Sequence, residues 1–502
     1  MRAVWSWLVV TLVGVLVVVL VFALGLFGRL SAGQAVLDDV GPILTKERVD
    51  GAAAGVGIVS DVTDLVDPVV TTSGGAADEV GKLVTFVSTQ TGLSQAAVLT
   101  TLQTNFPKTT ALLQTVPFET VAKELPGLIQ FLATTLKLTP DQVSAAIQQN
   151  FPKLGQAIAN LPKMTAGWNN VPGTTGFTRF DGSPITTMPQ VRDYFKLDVI
   201  PALQRQQGNA TALAGRGGVG FLAPLLLILG IIVIVFGVLM MFLSARNMLN
   251  AGIAQVAWGV VIAVGALVVV LVFALNLFGR LGGGNDLIKD TSPIFTSERV
   301  AGAKAGVAMI STTVDTADPV VLKAGGGSDE VGKLVSFVST TASLPPAAVL
   351  TALKTNAPNT TALLTAIPLE DVTTELPKLI TFLSTTLKLS EAQVTTAVGQ
   401  NFPKLGQVIG ALPKVTGVWA SGPPVEFTRV NGAPVNTVPE VRDYFAQDVI
   451  PVLERQQANF QRLADPWPPV NVFPPLLLIV GIIVILFGLI MLIATRRGAG
   501  KQ

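Results

Sequence analysis

The chain has 502 residues, half of them hydrophobic, with 48 glycines, 13% charged residues and a formal net charge of +2; its mean hydropathy is +0.58. That charge content is about half the usual ~25%, too little to cover a soluble enzyme of this size, while the abundance of Val, Leu and Ala is the opposite of disorder and +2 makes no field that would attract nucleic acid. With neither Cys nor His, disulfides, thiol nucleophiles, Ser-His-Asp chemistry and ordinary zinc sites are excluded, and only carboxylate- or Lys-based catalysis stays open.

Residues 1–28 read as a short cytoplasmic N-terminus followed by a first transmembrane helix over Leu8–Phe27, in an uncharged window between Arg2 and Arg29. The window exceeds the roughly 20 apolar residues that cross a bilayer. It is also longer than a signal-peptide core, and VLVFALGLFGRL at Val19–Leu30 recurs as VLVFALNLFGRL at Val270–Leu281. Such a segment is an anchor in mid-chain and is read as one at the start too.

Residues 29–220 read as a first extracytoplasmic helical domain. Thr45-Lys-Glu-Arg opens an Ala/Gly/Val-rich helix with a capping residue and an early acid. A 45-residue internal repeat relates 83–117 to 128–162, with Asn105-Phe-Pro-Lys answered by Asn150-Phe-Pro-Lys. This period suggests stacked helical units. At each of these joints Asn is expected to cap, Phe to pack and Pro to redirect the chain. Leu125-Pro126 reads as a similar joint. The pair Asp78-Glu79 is adjacent in a helical first turn, where the two side chains diverge and meet the helix dipole; this argues against a catalytic dyad. Thr139-Pro-Asp-Gln and Thr187-Met-Pro-Gln have capping-box spacing.

Asp181-Gly182 lies between two short extended runs, so a small β-hairpin with a type I′ turn is expected, and Asn431-Gly432 predicts the same later. A helix over Val191–Gln207, bent at Pro201, carries Arg192-Asp193-Tyr194. That cluster and Arg442-Asp443-Tyr444 hold the only two tyrosines. They are the candidate partner or ligand contacts, weighed against a plain Arg–Asp pair with a packed Tyr. Gly215–Gly220 reads as a flexible connector.

Three more uncharged windows follow. Residues 221–243 and 258–279 read as transmembrane helices (Phe221–Leu243, Trp258–Phe278) around a cytoplasmic connector at 244–257. Residues 280–473 form a second extracytoplasmic helical domain, entered toward the membrane through Pro466-Trp467-Pro468-Pro469. Residues 474–494 form the last span, about Pro475–Ile493, and 495–502 a basic cytoplasmic tail. Gly230 with Gly237, and Gly481 with Gly488, fall on one helix face each and suit close helix contact; Asn276, replacing Gly25, is expected to hydrogen-bond between helices. No Asp, Glu, Lys or Arg falls inside a span, which argues against a coupled transporter.

Residues 1–250 and 251–502 align at an offset of 251, and of 250 after Trp168 and Trp419: VGKLV at Val80 and Val331, VRDYF at Val191 and Val441. The short segments around Arg2, Arg246 and Arg496 place the termini inside, because the positive-inside rule weighs short loops. The fold class expected is therefore mainly α: an integral membrane protein with four transmembrane helices and two tandemly duplicated outer domains, each with a small β-hairpin. The Ala/Gly/Val/Thr bias suggests a bacterial envelope. The function expected is that of a non-catalytic binding, scaffold or accessory subunit, with the lipid bilayer and a membrane or envelope protein as partners, and no nucleic acid. The alternative is a carrier of lipid or another hydrophobic ligand. No catalytic residue, cofactor or metal ligand is assigned.

Overall fold

The computed structural model describes residues 2–23, 25–70, 76–114, 118–214, 220–246, 248–321, 327–361, 369–464 and 472–499. Residues 215–219 of the expected glycine connector, the Pro466–Pro469 entry and the last three residues of the basic tail lie outside them. The fold is mostly helical. Among the described residues, four helices are long and apolar enough to cross a membrane: Val4–Ala23, Leu222–Ala245, Ala251–Ala274 and Phe473–Arg497. A bent pair, Asp329–Ala342 with Pro346–Asn356, reaches the same hydropathy only as a whole, with 112° between its arms.

The chain divides into two compact units. One takes residues 1–49, 202–297 and 452–502; the other takes 50–201 and 298–451. The segments expected as two separate domains, 29–220 and 280–473, thus differ from the observed division. Their middles share one unit and their ends go with the apolar helices. The reason is steric and lies in glycines of one half that receive rings and branched side chains of the other. A Cβ on Gly51 would stand 2.2 Å from the Phe427 ring, and one on Gly302 2.2 Å from Phe177. Gly55 faces Val441 and Gly306 faces Val191 in the same reciprocal way.

Local chemistry explains most of the helix ends. Gln142 N donates to Thr139 Oγ1 and Thr139 N to Gln142 Oε1, at 3.2 and 2.9 Å, a complete capping box. Ser390 with Gln393 repeats it, as does Thr187 with Gln190. Pro107 and Pro152 each begin a helix, Pro107–Gln114 and Pro152–Trp168. Pro126 does not mark a joint: it sits inside the continuous helix Phe118–Leu136, as Pro377 sits inside Leu369–Leu387. The expected bend at Pro201 takes the form of a π-helical turn, Tyr194–Val199, just before Ile200–Ala214. Its wider turn relieves the clash of the Pro ring with the carbonyl four residues back. Tyr444–Val449 does the same ahead of Pro451.

No β-strand forms among the described residues, so the two expected hairpins shrink to isolated bridges, Thr178 with Pro184 and Thr428 with Pro434. The type I′ turn is absent because it needs two residues at positive φ. Gly182 is at +86° and Gly432 at +85°, but neither Asp181 nor Asn431 is at positive φ. Gly182 N donates to Arg179 O at 3.1 Å and Arg179 N to Ser183 O at 2.9 Å. The turn is therefore a three-residue loop closed by a left-handed glycine.

Candidate functional site

Within the unit of 50–201 and 298–451, carboxylates of one half close the helix starts of the other. Leu405 N, opening the Pro403–Trp419 helix, donates to Glu79 Oε2 at 2.7 Å. Leu154 N donates to Glu330 Oε2 at the same distance. Both glutamates are buried. Glu375 accepts from Thr109 N at 2.9 Å and from its hydroxyl. Glu124 accepts from Asn359 N and Thr360 N at 3.0 and 2.9 Å. The first helical turn exposes unpaired N–H groups and a partial positive charge, so a carboxylate there stabilises it.

This arrangement corrects the expected role of the joint asparagines. Asn105, Asn150 and Asn401 donate Nδ2–H to the carbonyl four residues back, Thr101, Ala146 and Ala397, at 2.8–2.9 Å. They close the preceding helix. The N-cap positions are Phe151 and Phe402, at φ −135° and without side-chain caps, and the distant glutamates satisfy the donors instead. The phenylalanines pack across the halves, Phe151 on Phe337 and Phe86 on Phe402, with centroids 6.1 Å apart in both pairs.

Two aspartates bind both halves at once. Asp67 accepts from Trp168 Nε1 at 3.0 Å and pairs with Lys404 of the other half at 2.7 Å. Asp318 accepts from Trp419 Nε1 at 2.8 Å and pairs with Lys153.

The candidate contact cluster belongs to the same framework. Arg192 Nε donates to Asp193 at 2.9 Å, and Arg192 pairs with Asp64 of the Lys46–Val70 helix at 2.5 Å. Arg442 pairs with Asp443 at 2.9 Å and with Asp315. Tyr194 is fully buried among Phe177, Phe180 and Phe195. Burial, above all, pushes its hydroxyl well above the ordinary tyrosine value. Nearby, Arg179 makes a two-pronged bond to Asp198 at 3.0 and 2.9 Å. That hydrogen bonding holds the guanidinium still further toward its charged form. The tyrosine is thus packed into the π-helical turn, while the Arg192–Asp193 pair, tied to Asp64, stays partly exposed.

The unit holding the apolar helices is built as two pairs: Arg2–Ala23 crosses Leu222–Ala245, and Ala251–Ala274 crosses Phe473–Ala499. Glycines set each crossing. A Cβ on Gly230 would stand 2.8 Å from Val18, and one on Gly237 2.5 Å from Thr11 Oγ1. Gly481 faces Val269 at 2.9 Å and Gly488 faces Ile262 at 2.7 Å. Gly14 and Gly265 are partners that sequence reasoning missed; their Cβ atoms would be 2.9 Å from the carbonyl oxygens of Gly230 and Gly481. Gly14 sits between Val13 and Val15, and Gly265 beside Ala266. Their matching positions at the repeat offset were the available signal.

Asn276 does not hydrogen-bond between helices within a span. It follows the end of Ala251–Ala274 and takes a left-handed conformation, φ 47° and ψ 47°. Gly25 is left-handed at the corresponding place, φ 59°. Both allow a sharp break before the next helix, and Asn is among the few side-chain-bearing residues that tolerate this region.

Between the pairs runs an apolar seam. At one end Trp7 and Trp258 stack, with centroids 3.9 Å apart and planes 8° from parallel, flanked edge-on by Phe236 and Phe487. Beyond this stack lies a void of about 160 Å³ lined by both pairs, including Val13, Val17, Val264 and Val268. A second opening of about 40 Å³ shares Leu229 and Val268 with it. A third, about 50 Å³, shares Leu30 and Leu281 with the second and reaches Arg29. Comparison of the chain with family models, with characterised proteins and with solved structures finds no match.

Proposed function

We propose that the chain is a non-catalytic membrane protein of a bacterial cell envelope, made of two tandem copies of one unit, that serves as a binding or scaffold subunit through its paired outer segments. Its termini and the connector at 244–257 face the cytoplasm in this reading, and residues 50–201 and 298–451 face outward. The single observation carrying it is the commitment of carboxylates across the two halves. Glu79, Glu124, Glu330 and Glu375 each satisfy helix donors of the opposite half, and Asp67 and Asp318 each bridge halves. Charge invested in joining two copies supports rigidity, which a scaffold needs. Much of the remaining polar surface is neutral: exposed Thr85, Thr101, Ser144 and Thr395 hydrogen-bond their own helix carbonyls. It supports contact with a partner without strong steering.

The absence of native cysteine makes the test direct. Single cysteines at Thr85, Ser144 and Met248 are labelled with a membrane-impermeant maleimide in intact cells, and photo-crosslinking residues are then placed at exposed outer positions. Labelling at 85 and 144 but not 248, with a discrete crosslinked adduct larger than the chain, is the expected result. Labelling at 248 alone, or crosslinks only within the chain, would sink the reading.

A further inference from the structure

We propose that the seam between the two pairs of apolar helices holds the acyl chain of a bilayer phospholipid, its tail toward the Trp7–Trp258 stack and its phosphate toward Arg29. The inference goes beyond the scaffold reading and does not depend on it.

The seam is a gap that each helix pair leaves after satisfying its own packing. Within a pair, glycines bring backbones together at Gly14 and Gly230, and at Gly265 and Gly481. Across the seam, branched side chains such as Val13 and Val264 hold the facing surfaces apart. The void of about 160 Å³ is lined only by hydrocarbon. Water entering it would find no hydrogen-bond partner, and left empty its walls would forfeit dispersion contacts. Helices of this length and hydropathy stand in a bilayer, where the solvent that reaches an apolar gap is an acyl chain.

Size excludes the rival occupant. A partner's transmembrane helix is about 10 Å across and needs a far larger groove. The continuations, about 40 and 50 Å³, are smaller still. Direction follows from the ends. Four aromatic rings close one of them. The other, past Leu30 and Leu281, is lined by the half-buried Arg29. A guanidinium at this mouth complements a phosphate.

The test purifies the full chain from the membranes of its expression host in mild detergent, and native mass spectrometry counts the phospholipid retained after extensive washing. The wild type is expected to keep about one phospholipid per chain. Val13→Phe with Val264→Phe fills the seam and should cut retention about tenfold, while Ile231→Phe, on an exposed face, should leave it unchanged. If the double variant does not fold, Val264→Ile alone should lower retention partially. A wild-type chain that emerges bare, or a filled seam that keeps as much lipid as the wild type, overturns the proposal.

Discussion

Removing one cross-half carboxylate tests the interlock directly. Glu79 is 9% exposed and accepts from Leu405 N at 2.7 Å. Glu79→Ala takes away a charge-assisted hydrogen bond, worth roughly 1.5–3 kcal/mol, and leaves the Leu405 amide buried without an acceptor. It also removes a negative charge from a helix start, worth about 0.3–1 kcal/mol. The expected loss is therefore about 2–4 kcal/mol. In a unit this large, 1 kcal/mol moves Tm by roughly 2 °C, so a fall of about 4–8 °C is expected. Glu79→Gln keeps an acceptor and should lose about half as much. Glu119→Ala is the control; its pair with Lys123 is largely exposed and worth under about 1 kcal/mol. The assay is thermal unfolding of the purified full chain, followed by near-ultraviolet circular dichroism of Trp168 and Trp419, both buried in this unit. If Glu79→Ala falls no further than Glu119→Ala, the buried caps are not what joins the halves.

Other outcomes follow from the same geometry. Residues 1–250 and 251–502 expressed as separate chains should each be insoluble or protease-sensitive alone and co-purify when produced together; a stable, detergent-soluble single half would contradict the reciprocal packing. Gly230→Leu places a side chain where a Cβ already meets Val18 at 2.8 Å, so cysteine crosslinking between the first two apolar helices should be lost, whereas Ile231→Leu should leave it intact. Asn276→Gly should be neutral, while Asn276→Val, forced to positive φ, should cost about 1–2 kcal/mol, read as a lower Tm. In a Tyr444→Phe background, Tyr194 should show no tyrosinate absorbance as pH passes 10, because its folded value is raised above the ordinary one. The sign of the linkage follows: this contribution to stability is whole below pH ~10 and is lost as pH rises further. Reversible ionisation near pH 10 with the fold intact would refute the burial.

Composition and hydropathy alone located the four apolar helices, because a run of ~20 residues without charge has few other stable destinations. Capping boxes at Thr139 and Thr187 were legible for a similar reason: the donor and acceptor lie three residues apart, so no distant partner enters. The turn at Asp181-Gly182 was read only in part, since a dipeptide constrains φ without deciding which of its residues becomes left-handed. Asn276 looked like a polar residue in lipid until the end of the helix was placed two residues before it.

What tertiary structure alone decided is the exchange between halves. Glu79 and Leu405 are separated by hundreds of residues, and nothing in either neighbourhood distinguishes a carboxylate that serves its own helix dipole from one that caps another helix. The two halves share many short runs, such as VGKLV and VRDYF, so sequence alone does not say whether an apolar face of one packs on its own body or on the other half. The packing of Phe427 against Gly51, and of Phe177 against Gly302, with the carboxylate caps, decides it. The seam was invisible for the same reason. Valine reads identically whether it fills a core or lines a gap, and the difference lies in how far the glycines of each pair let their backbones approach.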